Sequence, residues 1–321
     1  MSDINFYVCG GTGINVALDL KKGAKTPMVQ KAKFIGLDAS DRNDAKDEFP
    51  VERMDGVRGS GKKRDLNFDK AIPFVEAAMA KHKPNSYNVV IANSAGGSGS
   101  MLAVLTMRHL IKAGHIAVLC LVSDHTSLVE KTLSVGGLRS FANQCAKNQL
   151  NAAIPYLEYY NTEDKTRGEV NEQIVNGLNL LSLFLTETNG EMDYQDTKHF
   201  FNYPLVTGMP PALSRIHFYD QTAAPEYDGK APVAVASLFN TSAEIVPLFV
   251  GSVYRTTGVF AEGNNRPKNI QQLHMTLDHG EALAKLEKEM ESVDEDKAQA
   301  ANTYVQQKDL SQGSNDLGMV M

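Results

Sequence analysis

The segment Ile91-Ala-Asn-Ser-Ala-Gly-Gly-Ser-Gly-Ser100 places glycines and serines between the apolar runs YNVV and MLAVL. A Gly/Ser turn joining a strand to a helix converges backbone N–H groups on one point, and the helix adds its positive end. The chemistry this offers is anion binding, phosphate above all. Ser98 and Ser100 can add hydroxyl donors. The segment holds no lysine, so it is not the Gly-Lys-Ser/Thr loop of the common nucleotide triphosphatases. A phosphate here would be held by amide dipoles, with a bound metal ion supplying positive charge. Taken alone, the segment also fits a tight turn with no ligand.

Two further loops share the composition. Cys9-Gly-Gly-Thr-Gly-Ile-Asn15 follows an apolar strand and opens a helix, and Gly56-Val-Arg-Gly-Ser-Gly-Lys-Lys-Arg64 precedes one less directly. Glycine loops after the first and third strands fall where open α/β sheets bind ligands. The dinucleotide pattern Gly-x-Gly-x-x-Gly fails in both candidates: Val16 and Leu102 stand at the third glycine. Asp193-Tyr-Gln-Asp196 puts two carboxylates on one face of a helix start, where N-capping explains them. No Cys/His cluster has zinc spacing, and no Gly-x-Ser-x-Gly elbow is present.

The elements that must position these loops alternate. Strands are expected at 4–9, 32–37, 87–93, 116–122 and 154–160, with helices at 69–82, 99–113 and 127–149 between them. Gly136-Gly137 is a potential break in the last helix. Near-continuous apolar strands predict a parallel sheet covered on both faces. Residues 169–188 form one long helix with Val170, Ile174, Leu178, Leu181 and Leu185 on its apolar face, buried between two layers. Pro and Gly cluster at 204–211. The runs RIHFYD, VAVASLF, VYRTTGVF and IQQLHMTL then predict a mixed α+β part, followed by a helix over 279–308.

A chain of 321 residues with 42% hydrophobic content can bury a large core, so wholesale disorder is excluded. The net charge of −6 disfavours direct nucleic-acid binding. Cys9 and Cys120 sit in apolar runs and read as buried hydrophobes of a reducing compartment. No apolar run reaches the ~20 residues of a membrane helix, so a soluble cytoplasmic protein without membrane contact is expected.

The order GGTGxN, GxRGxG, AGGSGS, a long helix beginning VNEQI, then NGEMDYQD resembles the tubulin and FtsZ superfamily over essentially the whole chain. Within that superfamily it looks most like the phage-encoded tubulins of the PhuZ and TubZ group. In Ala95-Gly96-Gly97-Ser98-Gly99-Ser100, Ala replaces the first glycine of the usual signature and Ser its threonine. The resemblance implies an α/β fold. A Rossmann-like parallel-sheet GTPase domain (1–168) leads through a central core helix (169–189) to an α+β activation domain (190–278), a C-terminal helix (279–308) and a tail (309–321). It implies GTP/GDP and Mg²⁺ as cofactors. Gly10, Gly11, Thr12, Gly13 and Asn15 would serve the α/β-phosphates and base. Asp38 would form the second loop. Gly59 and Gly61 would lie near the γ-phosphate, with Arg58 and Arg64 close by. Residues 95–100 would be the signature loop, and Asn171 would read the guanine edge, with Asn161 a second candidate.

The resemblance also implies that Asp193 and Asp196 act in a neighbour's pocket, orienting the attacking water, so that polymer contact completes the site. The partner is then the chain itself, stacked head to tail, with Asp309, Asp316 and Met319-Val320-Met321 of the tail docking on an adjacent subunit. The setting is the cytoplasm of an infected bacterium, where filaments position phage DNA. Two alternatives remain at this point: a dinucleotide-dependent enzyme on a Rossmann-like sheet, and a nucleotide-binding scaffold that assembles without hydrolysis.

Overall fold

The computed structural model describes residues 4–146, 149–185, 191–220, 231–244, 252–260, 271–277 and Lys288. The chain divides into two compact units, 1–279 and 280–321. The expected helix over 279–308 and the tail lie outside the described residues, Lys288 excepted.

Strand β1 (Ile4–Cys9) is buried at every position, as a strand covered on both faces requires. Around it pair β2 (Lys33–Asp38), β3 (Val51–Arg53), β4 (Tyr87–Asn93), β5 (Ile116–Asp124), β6 (Ile154–Asn161) and β7 (Leu213–Tyr219). These seven strands are mutually parallel. Beyond β7 the sheet continues through β10 (Gln271–Thr276), β8 (Ala234–Phe239) and β9 (Tyr254–Val259). Only β10 runs antiparallel to its neighbours among the described strands. The order is β3-β2-β1-β4-β5-β6-β7-β10-β8-β9, a single ten-stranded sheet. The expected strands are all present. The three-residue edge strand β3 is additional and too short to show a pattern.

The helices α1 (Gly10–Lys22), α2 (Pro27–Gln30), α3 (Phe68–Lys81), α4 (Ser98–Lys112), α5 (Leu128–Cys145), α6 (Arg167–Phe184), α7 (Tyr194–Phe201) and α8 (Pro204–Thr207) complete this unit. α6 starts two residues before the apolar stripe predicts. Its start is a capping box: Glu169 N–H donates to Thr166 Oγ1 at 3.3 Å, and Thr166 N–H to Glu169 Oε2 at 2.7 Å. Val170, Ile174, Leu178, Leu181 and Phe184 are buried. A Cβ on Gly177 would overlap the Tyr159 hydroxyl, so this glycine lets α6 lie close on β6.

α5 runs unbroken through Gly136-Gly137, where the sequence allowed a break. The two glycines have a packing reason. A Cβ on Gly136 would sit 3.3 Å from Arg64 Nη1, and one on Gly137 would sit 2.9 Å from Arg64 Nη2 and overlap the Ser94 carbonyl. A guanidinium arriving from the loop before α3 occupies the space that side chains would fill.

Candidate nucleotide site

Strands β1, β2, β3, β4, β5 and β6 all end at the same edge of the sheet, here called the upper edge, and each expected loop follows one of them. Gly10 opens α1 at φ +71°, a conformation open mainly to glycine. A Cβ there would lie 3.0 Å from Gly99 Cα, so the first loop and the signature loop touch backbone to backbone. A Cβ on Gly97 would overlap Ser60 Oγ and sit 2.9 Å from Lys62 Cα, which brings the third loop against the signature loop. A Cβ on Gly11 would lie 2.5 Å from Asn43 Oδ1, which brings in the second. Four loops far apart in sequence are thus interlocked by glycine contacts.

What these loops present is mainly backbone. Neither α1 nor α4 has a side-chain cap on its N-terminus, whereas α2, α5, α6 and α7 are capped by Thr26, Ser127, Thr166 and Asp193. The first N–H groups of an uncapped helix have no intrahelical acceptor, and the macrodipole makes that end positive. Two such ends meet where Gly10 approaches Gly99. The Ser98 hydroxyl, in the first turn of α4, has no hydrogen-bond partner among the described residues. Ser100 is different: its hydroxyl donates to the Gly96 carbonyl and, at 3.2 Å, to that of Gly97, so it offers an incoming anion its amide only.

Other expected residues shape the loops. Asp38 is buried and accepts from Ala39 N–H at 2.7 Å, Ser40 N–H at 3.2 Å and Asn43 Nδ2 at 2.5 Å. It holds the second loop folded. Arg53 assists by donating to the carbonyls of Ser40 and Asn43, a role sequence reading missed because β3 was not seen. Arg64 donates through Nη2 to the carbonyls of Ser94 and Leu133, tying the third loop to the signature loop and to α5. Burial pushes its pKa down. Lys62 adds an ion pair to Glu130 in the first turn of α5. Arg58, Gly59 and Gly61 remain at the upper edge, Arg58 exposed.

Asn15 is exposed on α1, and Asn171 of α6 donates to Asp19 Oδ2 at 2.7 Å across the α1/α6 seam. Asn161 ends β6, where its carbonyl accepts from His125 N–H at 2.8 Å. The thiols of Cys9 and Cys120 are fully buried, and burial raises their pKa, so neither serves as a nucleophile.

Asp193 and Asp196 lie elsewhere. Tyr194 packs on Tyr87, ring centroids 5.7 Å apart, and Tyr87 is the first residue of β4. The signature loop follows the last residue of that strand. The seven residues of β4 therefore separate the acids from the loop by ~20 Å. The two acids form a reciprocal cap: Asp193 Oδ1 accepts from Gln195 N–H at 2.7 Å and Asp196 N–H at 2.9 Å, and Asp196 Oδ2 accepts from Asp193 N–H at 3.1 Å. Asp193 Oδ2 and Asp196 Oδ1 have no partner among the described residues. Nearby Tyr254 is raised in pKa, first by burial and then by the charge of Asp196.

Comparison with solved structures decides the fold. The chain superimposes on a protofilament of TubZ from bacteriophage PhiKZ with TM-score 0.81 at 20% identity, covering 93% of each chain. This chain has the tubulin/FtsZ fold. The phage tubulin PhuZ bound to GDP matches with TM-score 0.78 at 18% identity over 100% of both chains. A phage tubulin-like protein of Pseudomonas phage PhiPA3 is 24% identical over 281 residues, 84% of this chain and 83% of its own. No family model matches the chain. The resemblance read from the loop order therefore stands. In this tubulin/FtsZ fold, no group of three or more His, Cys, Asp or Glu side chains able to hold a metal occurs among the described residues. No described helix is long and apolar enough to cross a membrane.

Proposed function

We infer that the chain is a GTPase that polymerises head to tail and hydrolyses GTP at the junction between subunits. One observation carries this. The glycine loops and the acid pair occupy opposite ends of the same strands, so neither end holds both a phosphate cradle and the free carboxylate oxygens of Asp193 and Asp196. Stacking copies in one direction brings the lower edge of one onto the upper edge of the next. Such a contact does not close and generates a filament. The carboxylates of one subunit then position water against the phosphate held by the other. Phosphoryl transfer asks the protein mainly for positioning and charge stabilisation, which suits this division.

The exposed surface supports the same contact. The large exposed hydrophobics among the described residues are Leu66, Phe68, Ile72 and Val129 near the upper edge, and Leu205, Val206 and Val253 at the lower. Arg58, Lys62 and Lys63 lie with the first group, Glu191, Asp193 and Asp196 with the second. Apolar and opposite-charge complementarity fits a second copy of the chain.

Among the residues of the upper edge, Asp38 has both carboxylate oxygens engaged, so a Mg²⁺ ion would take its ligands mainly from the nucleotide's phosphates and water, with the Ser98 hydroxyl as a candidate ligand from the chain. When bound, Mg²⁺ supplies charge neutralisation of the phosphates. The PhiPA3 relative and the PhuZ structure support a setting in the infected bacterial cell, with filaments positioning phage DNA as the resemblance implies. The test is Asp193→Asn. It preserves the cap, because Asn caps as well as Asp. Turnover should fall while GTP binding and assembly persist. Unchanged turnover removes Asp193 from the mechanism, and no turnover in the unmodified chain would leave the non-hydrolysing scaffold.

A further inference from the structure

The amino ends of β1 and β2, at the lower edge, border a cavity of about 660 Å³ that the nucleotide reading does not use. That volume lies within the ~300–1,000 Å³ of small-molecule sites. Asn5 of β1 lines it, and Cys9 ends the same strand at the phosphate cradle, ~13 Å away. One wall is apolar, made of Phe34, Ile35, Phe49 and Pro50. Its rings are fixed: Phe34 stacks on Phe6 with centroids 4.9 Å apart and meets Phe49 at 5.9 Å.

The rest of the lining is cationic. Lys21, Lys33, Lys81 and Lys83 border the cavity with His82, and Glu48 is the one carboxylate among the lining residues. The chain as a whole carries a net charge of −6, so this excess of positive charge is local. Lys21 Nζ donates to the Glu48 carbonyl at 2.6 Å and to its carboxylate at 2.8 Å. Lys81 Nζ donates to Glu52 Oε1 at 2.7 Å, and His82 Nε2 lies 2.7 Å from the same oxygen. Lys33 and Lys83 are exposed, and their ammonium groups have no partner among the described residues. The nearby carboxylates are therefore already engaged, and two ammonium groups remain for an incoming anion.

The backbone under these two lysines is held by β1. Asn5 pairs with Lys33 across the β1/β2 ladder, and Asn5 Nδ2 donates to the Lys83 carbonyl at 3.0 Å. Tyr7 Oη donates to the His82 carbonyl at 2.7 Å, and Asn85 Nδ2 to Asn5 Oδ1 at 2.9 Å. Asn5 and Tyr7 are buried, so the sheet itself fixes where both lysines start. A site ordered in advance loses less freedom on binding.

We propose that this cavity binds a small organic anion of two or more charges, its flat apolar part against Phe34 and Phe49 and its anionic groups on Lys33 and Lys83. An acidic protein segment would call for a row of cations along a surface. Here the cations ring a hollow with an apolar wall. The proposal is independent of nucleotide binding and of assembly.

Pyranine, a flat pyrene carrying three sulfonates, is the probe. Its fluorescence anisotropy is followed as the full chain is added, in excess GDP and Mg²⁺ so that a nucleotide site is already filled. One pyranine should bind per chain. Lys33→Gln with Lys83→Gln should weaken it at least tenfold, as the loss of two charge-assisted contacts implies. Lys70→Gln with Lys112→Gln removes the same charge from exposed lysines outside the cavity and should leave it unchanged. Naphthalene disulfonate should displace the probe at concentrations where sulfate does not, because sulfate lacks the apolar part. Absence of binding overturns the proposal. So does an equal loss in the two double variants, which would mark unspecific charge attraction. Displacement by hexaglutamate but not by naphthalene disulfonate also overturns it and gives the surface to an acidic protein segment. If the double variant at 33 and 83 does not fold, each single substitution should weaken binding about threefold, and two single variants with unchanged binding refute the proposal. Failure of GDP to bind would refute the nucleotide reading and leave this titration standing.

Discussion

At the carboxyl ends of β1 and β4, α1 and α4 begin without a capping side chain, and three glycine loops interlock with the loop of Asp38 and Asn43 around their first turns. At the other end of the same sheet, α7 begins on a reciprocal cap made by two carboxylates. The upper edge is made of backbone donors whose partner must come from outside. The lower edge is made of acceptors, half of which are already used at home. The contrast teaches how one fold can carry a reaction it does not complete alone. On the proposed function the donor end would bind phosphate without any lysine in its signature loop, and the acceptor end is kept ~20 Å from it by the length of β4.

Substitutions can break each end separately. The largest effect belongs to the lower edge. Asp196→Ala should reduce GTP turnover about a thousandfold, within the range of lost acid–base or water-positioning groups, with nucleotide affinity retained. Asp193→Ala should do the same and also lower stability by about 1 kcal/mol through loss of the cap, visible as a drop in Tm that Asp193→Asn does not share. At the upper edge, Gly97→Val forces backbone apart where Ser60 and Lys62 approach. It should weaken GTP binding about a hundredfold, measured by titration with a fluorescent nucleotide.

A smaller effect probes how the upper edge is held together. Gly137→Ala places a methyl group against the Arg64 guanidinium and the Ser94 carbonyl. Displacing one charge-assisted hydrogen bond costs about 1.5–3 kcal/mol, so GTP affinity should fall about tenfold although no loop residue has changed. Unaltered affinity would mean that the loops keep their geometry without Arg64.

The smallest effect lies away from both ends. His274 is buried in β10 and bonds to Gln272 at 2.9 Å. Burial, with His217 and Arg255 nearby, pushes its pKa from 6.5 to about 4. The folded state therefore favours the neutral ring. Its contribution to stability is full above pH 6.5 and is lost as pH falls from there towards 4, where the folded form protonates as well. Thermal unfolding at pH 7 and pH 5 should show a steeper fall in Tm for the natural chain than for His274→Gln.

Much of the upper edge was legible because its elements are local. The first, second and signature loops each directly follow an apolar strand, and glycine marks where backbones must meet. The acid pair was legible as a helix cap, because Asp193 and Asp196 carry the spacing of one. What escaped was everything that depends on residues distant in the chain. Nothing around Gly136-Gly137 announces that Arg64 will arrive from 72 positions away and make a potential break into a packing site. The Asp38–Asn43–Arg53 net required β3, whose three residues are too few for a period. Asp19 looked like one polar residue on an amphipathic helix until Asn171 came from 152 positions away to meet it. Ser100 looked like a phosphate donor, but a helical serine also reaches the carbonyl one turn back, and here it does.

The most direct test of the divided site is GTP turnover per subunit, measured in Mg²⁺ across a series of protein concentrations. A site completed by a neighbour predicts a rate near zero below a threshold concentration and a rise above it as subunits associate. A rate per subunit that stays constant on dilution would show that one chain holds the whole catalytic apparatus, and would contradict the assignment of Asp193 and Asp196 to the adjacent subunit's phosphate.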